Sequence, residues 1–170
     1  MESAGQASHG EADFIEGYHP ASVLDAGCGM GRVAIELHRR GIEVIGADLD
    51  IDLLTYARAD VPDIEWHHAD LATVTLGRLF DVVAMPGNVM IFCRPQDRGL
   101  IVTNLARHLS EDGLLIAGFS LERETGALTL DEYDAYCVDE GLFLVDRYAT
   151  WDRDLSTASN YAVSVHRTIR

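Results

Sequence analysis

The stretch that most constrains the fold is VLDAGCGMGRVAIEL, at residues 23–37. A run of apolar residues typical of a buried strand leads into glycines at every second position, and a helical pattern follows directly. Gly27, Gly29 and Gly31 allow a tight turn and let a ligand approach the backbone without interference from a Cβ atom. The helix after the turn presents free N–H groups and the positive end of its dipole to that ligand. We therefore expect a strand, a glycine turn and a helix that together bind a ligand.

The rest of the chain alternates between strand and helix patterns. Strand patterns lie at 22–27, 42–49, 64–71, 80–87 and 114–121, and helix patterns lie at 10–18, 32–40, 50–60, 96–109 and 129–140. Two further strand patterns, 142–150 and 161–169, close the chain as an antiparallel hairpin at a sheet edge. This order predicts an α/β fold: a Rossmann-like doubly wound sheet, mostly parallel and seven-stranded with a C-terminal antiparallel hairpin strand, and helices on both faces. We expect residues 1–170 to form a single domain in which residues 1–9 are flexible.

Local signals predict where several of these elements begin and end. Asp50 is expected to cap the third helix, and Thr129 with Glu132 matches the capping box of the last one. The sequence Glu-Asp-Gly at 111–113 predicts a turn before the fifth strand. Polar segments at 122–127 and 153–160 are predicted to be loops.

Composition limits the partners of the chain. With 28 acidic and 13 basic residues its formal net charge is −15, so its surface repels nucleic-acid phosphates and anionic lipid headgroups. We therefore expect no nucleic-acid and no membrane partner, and a small-molecule substrate. No apolar run reaches the ~20 residues that a membrane helix needs, and the first residues do not resemble a signal peptide. Cys28, Cys93 and Cys137 include no C-x-x-C pair, which favours reduced thiols in a cytoplasmic protein.

The spacing of the glycines indicates which ligand the turn binds. A dinucleotide fingerprint is G-x-G-x-x-G, whereas this chain has G-x-G-x-G, with Arg32 at the position of the third glycine. Asp25 stands two residues before the first glycine, where its carboxylate would repel a pyrophosphate but suits a cationic ligand such as one with a sulfonium and an amino group.

The pattern D-x-G-x-G-x-G resembles motif I of the class I S-adenosylmethionine-dependent methyltransferases, above all small bacterial members with D-A-G-C-G-x-G-R. The resemblance continues in order along almost the whole chain. It implies that Asp48, at the end of the second strand, binds the ribose hydroxyls of S-adenosyl-L-methionine. It further implies that Asp70 lies near the adenine amino group and that Leu71 lies against the ring. The end of the fourth-strand segment FDVVAMPGN is expected to lie near the methyl donor and the substrate.

The resemblance therefore predicts a set of cofactor-binding residues: Asp25, Ala26, Gly27, Cys28, Gly29, Gly31, Arg32, Asp48, Leu49, Asp70, Leu71, Pro86, Gly87 and Asn88. Asn88 has two interpretations, a residue that orients a substrate amine or hydroxyl and a plain turn residue. His67 and His68 are adjacent on a strand and point to opposite faces, so we expect no metal site there.

The predicted activity is transfer of a methyl group to a small-molecule acceptor by in-line displacement. Such a transfer depends mainly on proximity and orientation, and no residue is assigned as catalytic. One alternative is a methyltransferase-fold module that binds cofactor or a partner without own catalysis; the short segment after the fifth strand favours it. A second alternative is an NAD(P)-dependent oxidoreductase, against which Asp25 and the missing glycine count. The acceptor is left open, as is assembly into a homodimer.

Overall fold

The computed structural model describes residues 9–122, 127–155 and 159–170. Its elements in chain order are α1 (Gly10–Glu16), β1 (Ser22–Ala26), α2 (Arg32–Arg39), β2 (Glu43–Asp48), α3 (Ile51–Asp60), β3 (Glu65–His68), β4 (Phe80–Met85), α4 (Val89–Phe92), a 3₁₀ turn (Pro95–Asp97), α5 (Arg98–Ala106), β5 (Leu109–Ser120), α6 (Leu130–Asp139), β6 (Leu142–Tyr148) and β7 (Tyr161–Thr168).

All seven strands form one sheet in the order β3-β2-β1-β4-β5-β7-β6. The first five strands in the chain run parallel, β7 is antiparallel to β5, and β6 is antiparallel to β7 at the edge. The prediction of a mostly parallel Rossmann-like sheet closed by an antiparallel hairpin is confirmed. The chain moves outward from β1 through β2 to β3 and then returns to β4 on the other side of β1, so the switch point lies between β1 and β4. In open α/β sheets, ligands bind at the carboxyl ends of the strands beside such a point.

Both faces of the sheet are covered by helices. Val23 belongs to a buried cluster that the sheet forms with α1, α2 and α3, while its neighbour Leu24 belongs to a cluster with α5 and α6. Successive side chains of a strand point to opposite faces, so β1 has to be apolar at both positions. Within the part of the chain that the structure describes, no helix combines the length and the apolar character needed to cross a membrane.

The short helix α1 is docked on α2 by ion pairs between acidic residues of the first and arginines of the second. Arg32 Nη2 lies 2.9 Å from Glu11 Oε1, and a second hydrogen bond of 3.0 Å makes this pair bidentate. Arg40 lies 2.7 Å from Asp13 and 2.6 Å from Glu16. These contacts hold α1 against the beginning and the end of α2.

The helix caps agree with the sequence. The Asp50 side chain accepts hydrogen bonds from the N–H groups of Asp52 and Leu53, and Thr129 forms the capping box with Glu132. Both predicted caps are therefore confirmed.

The segment between β4 and β5 differs from the prediction. The sequence predicts one helix over 96–109; the chain forms the shorter α5 within that range, a 3₁₀ turn at its start, and an additional helix, α4, before it. Pro95 lacks the N–H group that would continue α4, and Asn88 begins that helix from a left-handed conformation at φ 57°. The predicted turn at 111–113 is a distortion inside β5, since Asp112 has φ 58° and the pairing with β4 shifts its register there.

Some sequence predictions fall partly outside the described residues. The flexible start at 1–9 does so except for His9, and so do the centres of the predicted loops 122–127 and 153–160.

Candidate functional site

A cavity of about 940 Å³ lies at the carboxyl ends of β1, β2, β3 and β4, at the switch point of the sheet. Its volume falls within the range of about 300–1,000 Å³ that is usual for small-molecule sites. It is lined by eleven of the residues predicted to bind cofactor: Asp25, Gly27, Cys28, Gly29, Arg32, Asp48, Leu49, Asp70, Leu71, Pro86 and Gly87. The structure thus brings the ends of four strands together around one space.

The three glycines of the turn have different roles, although all adopt left-handed conformations with φ between 57° and 84°. A Cβ on Gly29 would meet only Leu53 Cδ1, at an ordinary van der Waals distance of 3.8 Å. A Cβ on Gly27 would overlap Val89, and one on Gly31 would overlap the indole of Trp66. The turn therefore leaves room for a ligand at its middle glycine, while the outer two glycines are required by the packing of the protein itself.

Asp25 is a buried carboxylate with one oxygen left unsatisfied. Its side chain is 1% exposed, and Oδ2 accepts a hydrogen bond of 3.1 Å from the N–H of Ala34 at the start of α2. Oδ1 has no hydrogen-bond partner among the described residues. Burial, more than any neighbouring charge, raises the pKa of Asp25 from 3.8 to about 7. A cationic group in the cavity would satisfy this oxygen and favour the ionised form, whereas a pyrophosphate would be repelled by it.

Asp48 joins the glycine turn to the end of β2. Its Oδ2 accepts a hydrogen bond of 2.8 Å from the N–H of Gly29, and its Oδ1 accepts one of 2.8 Å from the N–H of Asp50. A carboxylate can accept about four hydrogen bonds. Asp48 is therefore fixed in orientation and keeps acceptor capacity for hydroxyl groups of a ligand.

The end of β3 contributes a polar and an apolar residue to the cavity. Asp70 is exposed, and its Oδ1 accepts a hydrogen bond of 2.8 Å from the N–H of Ala72. Leu71 is buried and lines the same side of the cavity. On the neighbouring β2 loop, the backbone oxygen of Leu49 lies 3.0 Å from His68 Nε2, which links the ends of β2 and β3.

Three predicted residues lie outside the lining of the cavity: Ala26, Gly31 and Asn88. Ala26 is buried within β1. Asn88 Oδ1 accepts a hydrogen bond of 2.8 Å from the N–H of Ser120, so its side chain ties the loop after β4 to the end of β5. This contact matches the interpretation of Asn88 as a turn residue, and its role toward a substrate stays a prediction.

Sequence reasoning missed several residues that line the cavity. Met30 and Phe92 are 56% and 81% exposed, so with Leu49, which is 67% exposed, they place three large apolar side chains around the opening. Ile101 of α5 also reaches the cavity. Met30 lies at a variable position of the glycine turn, and the locations of Phe92 and Ile101 depend on how α4 and α5 pack, so their apolar character alone does not predict these contacts.

The side chains considered for other chemistry do not form a second reactive site. Burial, together with the charges of Asp25 and Asp48, raises the pKa of the Cys28 thiol, which disfavours a nucleophilic thiolate. His67 Nε2 lies 2.6 Å from Glu65, and no group of three His, Cys, Asp or Glu side chains suited to a metal ion is found in residues 9–122, 127–155 and 159–170.

Comparison with known proteins gives a consistent assignment. Residues 23–113, more than half of the chain, match the family described as Methyltransferase domain. The structure is similar to a TehB-like SAM-dependent methyltransferase from Corynebacterium glutamicum, with a TM-score of 0.87 and 30% identity over 98% of this chain and 91% of that one.

Two curated relatives match shorter segments. Magnesium-protoporphyrin O-methyltransferase of Rhodobacter capsulatus is 36% identical over 90 residues, which are 50% of this chain and 39% of that protein. The dTDP-3-amino-3,4,6-trideoxy-alpha-D-glucopyranose N,N-dimethyltransferase of Streptomyces venezuelae is 32% identical over 108 residues, 62% of this chain and 46% of that protein. The chain thus spans less than half the length of these relatives. On the family match, the fold and the turn at residues 25–31, the chain belongs to the class I S-adenosylmethionine-dependent methyltransferases.

Proposed function

We propose that this chain binds S-adenosyl-L-methionine in the cavity beside Asp25 and transfers its methyl group to a small-molecule acceptor. The observation that carries the proposal is the buried carboxylate of Asp25, whose Oδ1 faces no partner among the described residues. Once ionised, this buried carboxylate carries a charge that a cationic ligand group would stabilise, and the amino group of the donor supplies one.

The residues around the cavity fit the other parts of the donor. Asp48 is oriented by two backbone N–H groups and offers its remaining acceptor positions to the ribose hydroxyls. Asp70 is proposed to bind the amino edge of the adenine, and Leu71 is proposed to pack against the face of the ring. Gly29 leaves space for close approach of the donor to the backbone of the turn.

The contribution of the protein to the reaction is binding and orientation. When bound, S-adenosylmethionine supplies a methyl carbon that its positive sulfur already activates. The chain holds the donor from the ends of four strands, so that an acceptor placed in line with the methyl group can displace the sulfur. Pro86 and Gly87 line the cavity just after β4 and are proposed to face the acceptor; no side chain is assigned as a general base.

A small-molecule acceptor is supported by the charge of the chain and by its relatives. The net charge of −15 disfavours nucleic acids. The two curated relatives are named for a magnesium protoporphyrin and a nucleotide-linked amino sugar, one as an O-methyltransferase and one as an N-methyltransferase. A cytoplasmic location stays a prediction, and the acceptor atom and assembly into a homodimer stay open.

An NAD(P)-dependent oxidoreductase is disfavoured by the same carboxylate. A dinucleotide would bring its pyrophosphate to the glycine turn, directly against the buried Asp25. Where Asp25 is ionised, its buried charge would repel the pyrophosphate.

Isothermal titration calorimetry distinguishes the methyltransferase from the NAD(P)-dependent oxidoreductase. We expect S-adenosylmethionine and S-adenosylhomocysteine to bind and NAD⁺ to show no heat of binding. If neither S-adenosylmethionine nor S-adenosylhomocysteine binds, the proposal is wrong. Turnover is then followed as release of S-adenosylhomocysteine with a panel of amines, hydroxyl compounds and carboxylic acids. Tight donor binding without turnover on any of them would favour the non-catalytic binding module.

A further inference from the structure

We infer that Asn104, on α5, is a positioning residue that holds the base-recognition edge of the donor site in place. The inference rests on the proposed function, because it concerns the side of the cavity formed by Asp70 and Leu71. Asn104 does not line the cavity itself, and no sequence motif includes it.

The Asn104 side chain donates two hydrogen bonds to the segment after β3. Its Nδ2 lies 2.9 Å from the backbone oxygen of Leu71 and 2.8 Å from that of Val74. Asn104 is 8% exposed, Leu71 7% and Val74 8%, so both carbonyl groups are bonded in a region without ready access to water. One buried amide therefore satisfies two buried acceptors that would otherwise lack partners.

His108, in the turn between α5 and β5, makes a third connection to the same segment. The N–H of Leu76 donates to His108 Nε2 at 3.3 Å, which requires that nitrogen to be unprotonated. The proton of the neutral ring then lies on Nδ1, 2.8 Å from the backbone oxygen of Asn104. Asn104 of α5 and His108 in the turn after the helix therefore hold residues 71–76 at three points.

Residues 71–76, which Asn104 and His108 hold, are hydrogen-bonded to Asp70 just after β3. The backbone N–H of Val74 donates to the backbone oxygen of Asp70 at 2.8 Å, and the N–H of Ala72 donates to the Asp70 carboxylate. Asp70 and Leu71 are thus part of one hydrogen-bonded turn. Ile101, one turn before Asn104, lines the cavity, so the same helix provides a wall of the site and the support of its edge.

Loss of the Asn104 amide leaves two buried carbonyl groups without donors, and the turn can satisfy them only by moving toward water. Movement of the turn displaces Asp70 and Leu71, which are proposed to recognise the adenine, while the glycine turn and Asp25 stay in place. The expected result is loss of discrimination at the base rather than loss of all donor binding.

The test compares two ligands that differ at the base alone, S-adenosylhomocysteine and S-inosylhomocysteine, by calorimetry on the full chain. Hypoxanthine has an oxygen in place of the adenine amino group, so the wild type is expected to prefer the adenine compound. Asn104→Leu keeps the volume and removes both donors, and Asn104→Ser keeps one hydroxyl donor. Thr103→Val is the matched control, because Thr103 is the adjacent residue of α5 and bonds Glu140 at 2.6 Å instead of the turn.

We expect the ratio of the two Kd values to fall about tenfold in Asn104→Leu and less in Asn104→Ser, and to be unchanged in Thr103→Val. Equal weakening of both ligands, an unchanged ratio in the Asn104 variants, or an equal change in Thr103→Val would overturn the inference. If Asn104→Leu does not fold, Asn104→Ser decides in the same way. Failure of the wild type to bind S-adenosylhomocysteine would instead refute the proposed function, so the two failures are distinct.

Discussion

Replacement of Asp25 by asparagine addresses the central feature of the donor site. The amide oxygen can still accept the hydrogen bond from the N–H of Ala34, while the ionisable group is removed. In the wild type without ligand, ionisation of Asp25 places an uncompensated charge in the interior. We therefore expect Asp25→Asn to be more stable than the wild type at alkaline pH and to bind the donor more weakly.

The size of the stability effect follows from the pKa of Asp25, which burial raises from 3.8 to about 7. Between these values the folded chain keeps a proton that the unfolded chain has lost, so wild-type stability falls as pH rises. The decline is about 1.4 kcal/mol per pH unit between about pH 4 and pH 7, and it levels off above pH 7 after a total of about 4 kcal/mol. The asparagine variant lacks this contribution.

The free energy of unfolding in urea, measured for both proteins from pH 5 to pH 8, provides the assay. The amide nitrogen replaces the unpartnered Oδ1 and adds an offset that does not depend on pH, so the test is the slope of the difference between the two proteins. The stability of the variant minus that of the wild type should increase up to about pH 7 and then stay constant. A difference that stays flat between pH 5 and pH 7 would refute the reasoning.

The same protonation is coupled to donor binding. Below pH 7 the wild type has to ionise Asp25 before it can pair with a cation, so Kd for S-adenosylmethionine should be about tenfold higher at pH 6 than at pH 8. Asp25→Asn serves as the control, because any titration of the ligand itself persists in it. An equal pH dependence in both proteins would exclude Asp25 as its source.

Three further predictions concern other side chains. Asp48→Ala removes an acceptor of the Gly29 N–H and should weaken S-adenosylmethionine binding by about 1.5–3 kcal/mol in calorimetry, and an unchanged Kd would contradict the ribose assignment. Gly46→Ala places a Cβ against the indole of Trp66 and should destabilise the fold by about 1–3 kcal/mol in thermal unfolding, part of which Trp66→Leu should recover; additive effects would show that the two do not interact. Cys28, whose pKa is raised mainly by burial, should react with iodoacetamide much more slowly in the folded chain than in urea, as measured by mass spectrometry, and equal rates would count against its burial.

The sequence predicts those parts of the fold and the site that depend on residues close together in the chain. Asp25, Asp48 and Asp70 each stand at or next to the end of a strand, so recognition of the strands was enough to bring them to one edge of the sheet. The closing hairpin was predictable from its alternating pattern, and the caps at Asp50 and Thr129 from residue type and spacing.

What the sequence does not predict depends on residues far apart in the chain. Gly31 looks like a ligand-binding glycine, yet its neighbour is Trp66, thirty-five positions later, and no local pattern indicates that contact. Helix α4 has no motif of its own in the sequence; it places Val89 against Gly27 of the glycine turn and leaves Phe92 exposed. The support that Asn104 gives to Leu71 likewise joins two elements that are separated by the whole of β4.

The docking of α1 on α2 has a practical consequence. Arg32 and Arg40 supply its cations, and the whole chain contains no lysine. A guanidinium keeps its charge to about pH 12, where an ammonium would already have lost its proton, so alkaline buffers leave these ion pairs intact. Succinimidyl esters, which label lysines in most proteins, find no side-chain amine here. Amine coupling is therefore confined to an α-amino group, and no side chain of α1 or α2 is modified by it.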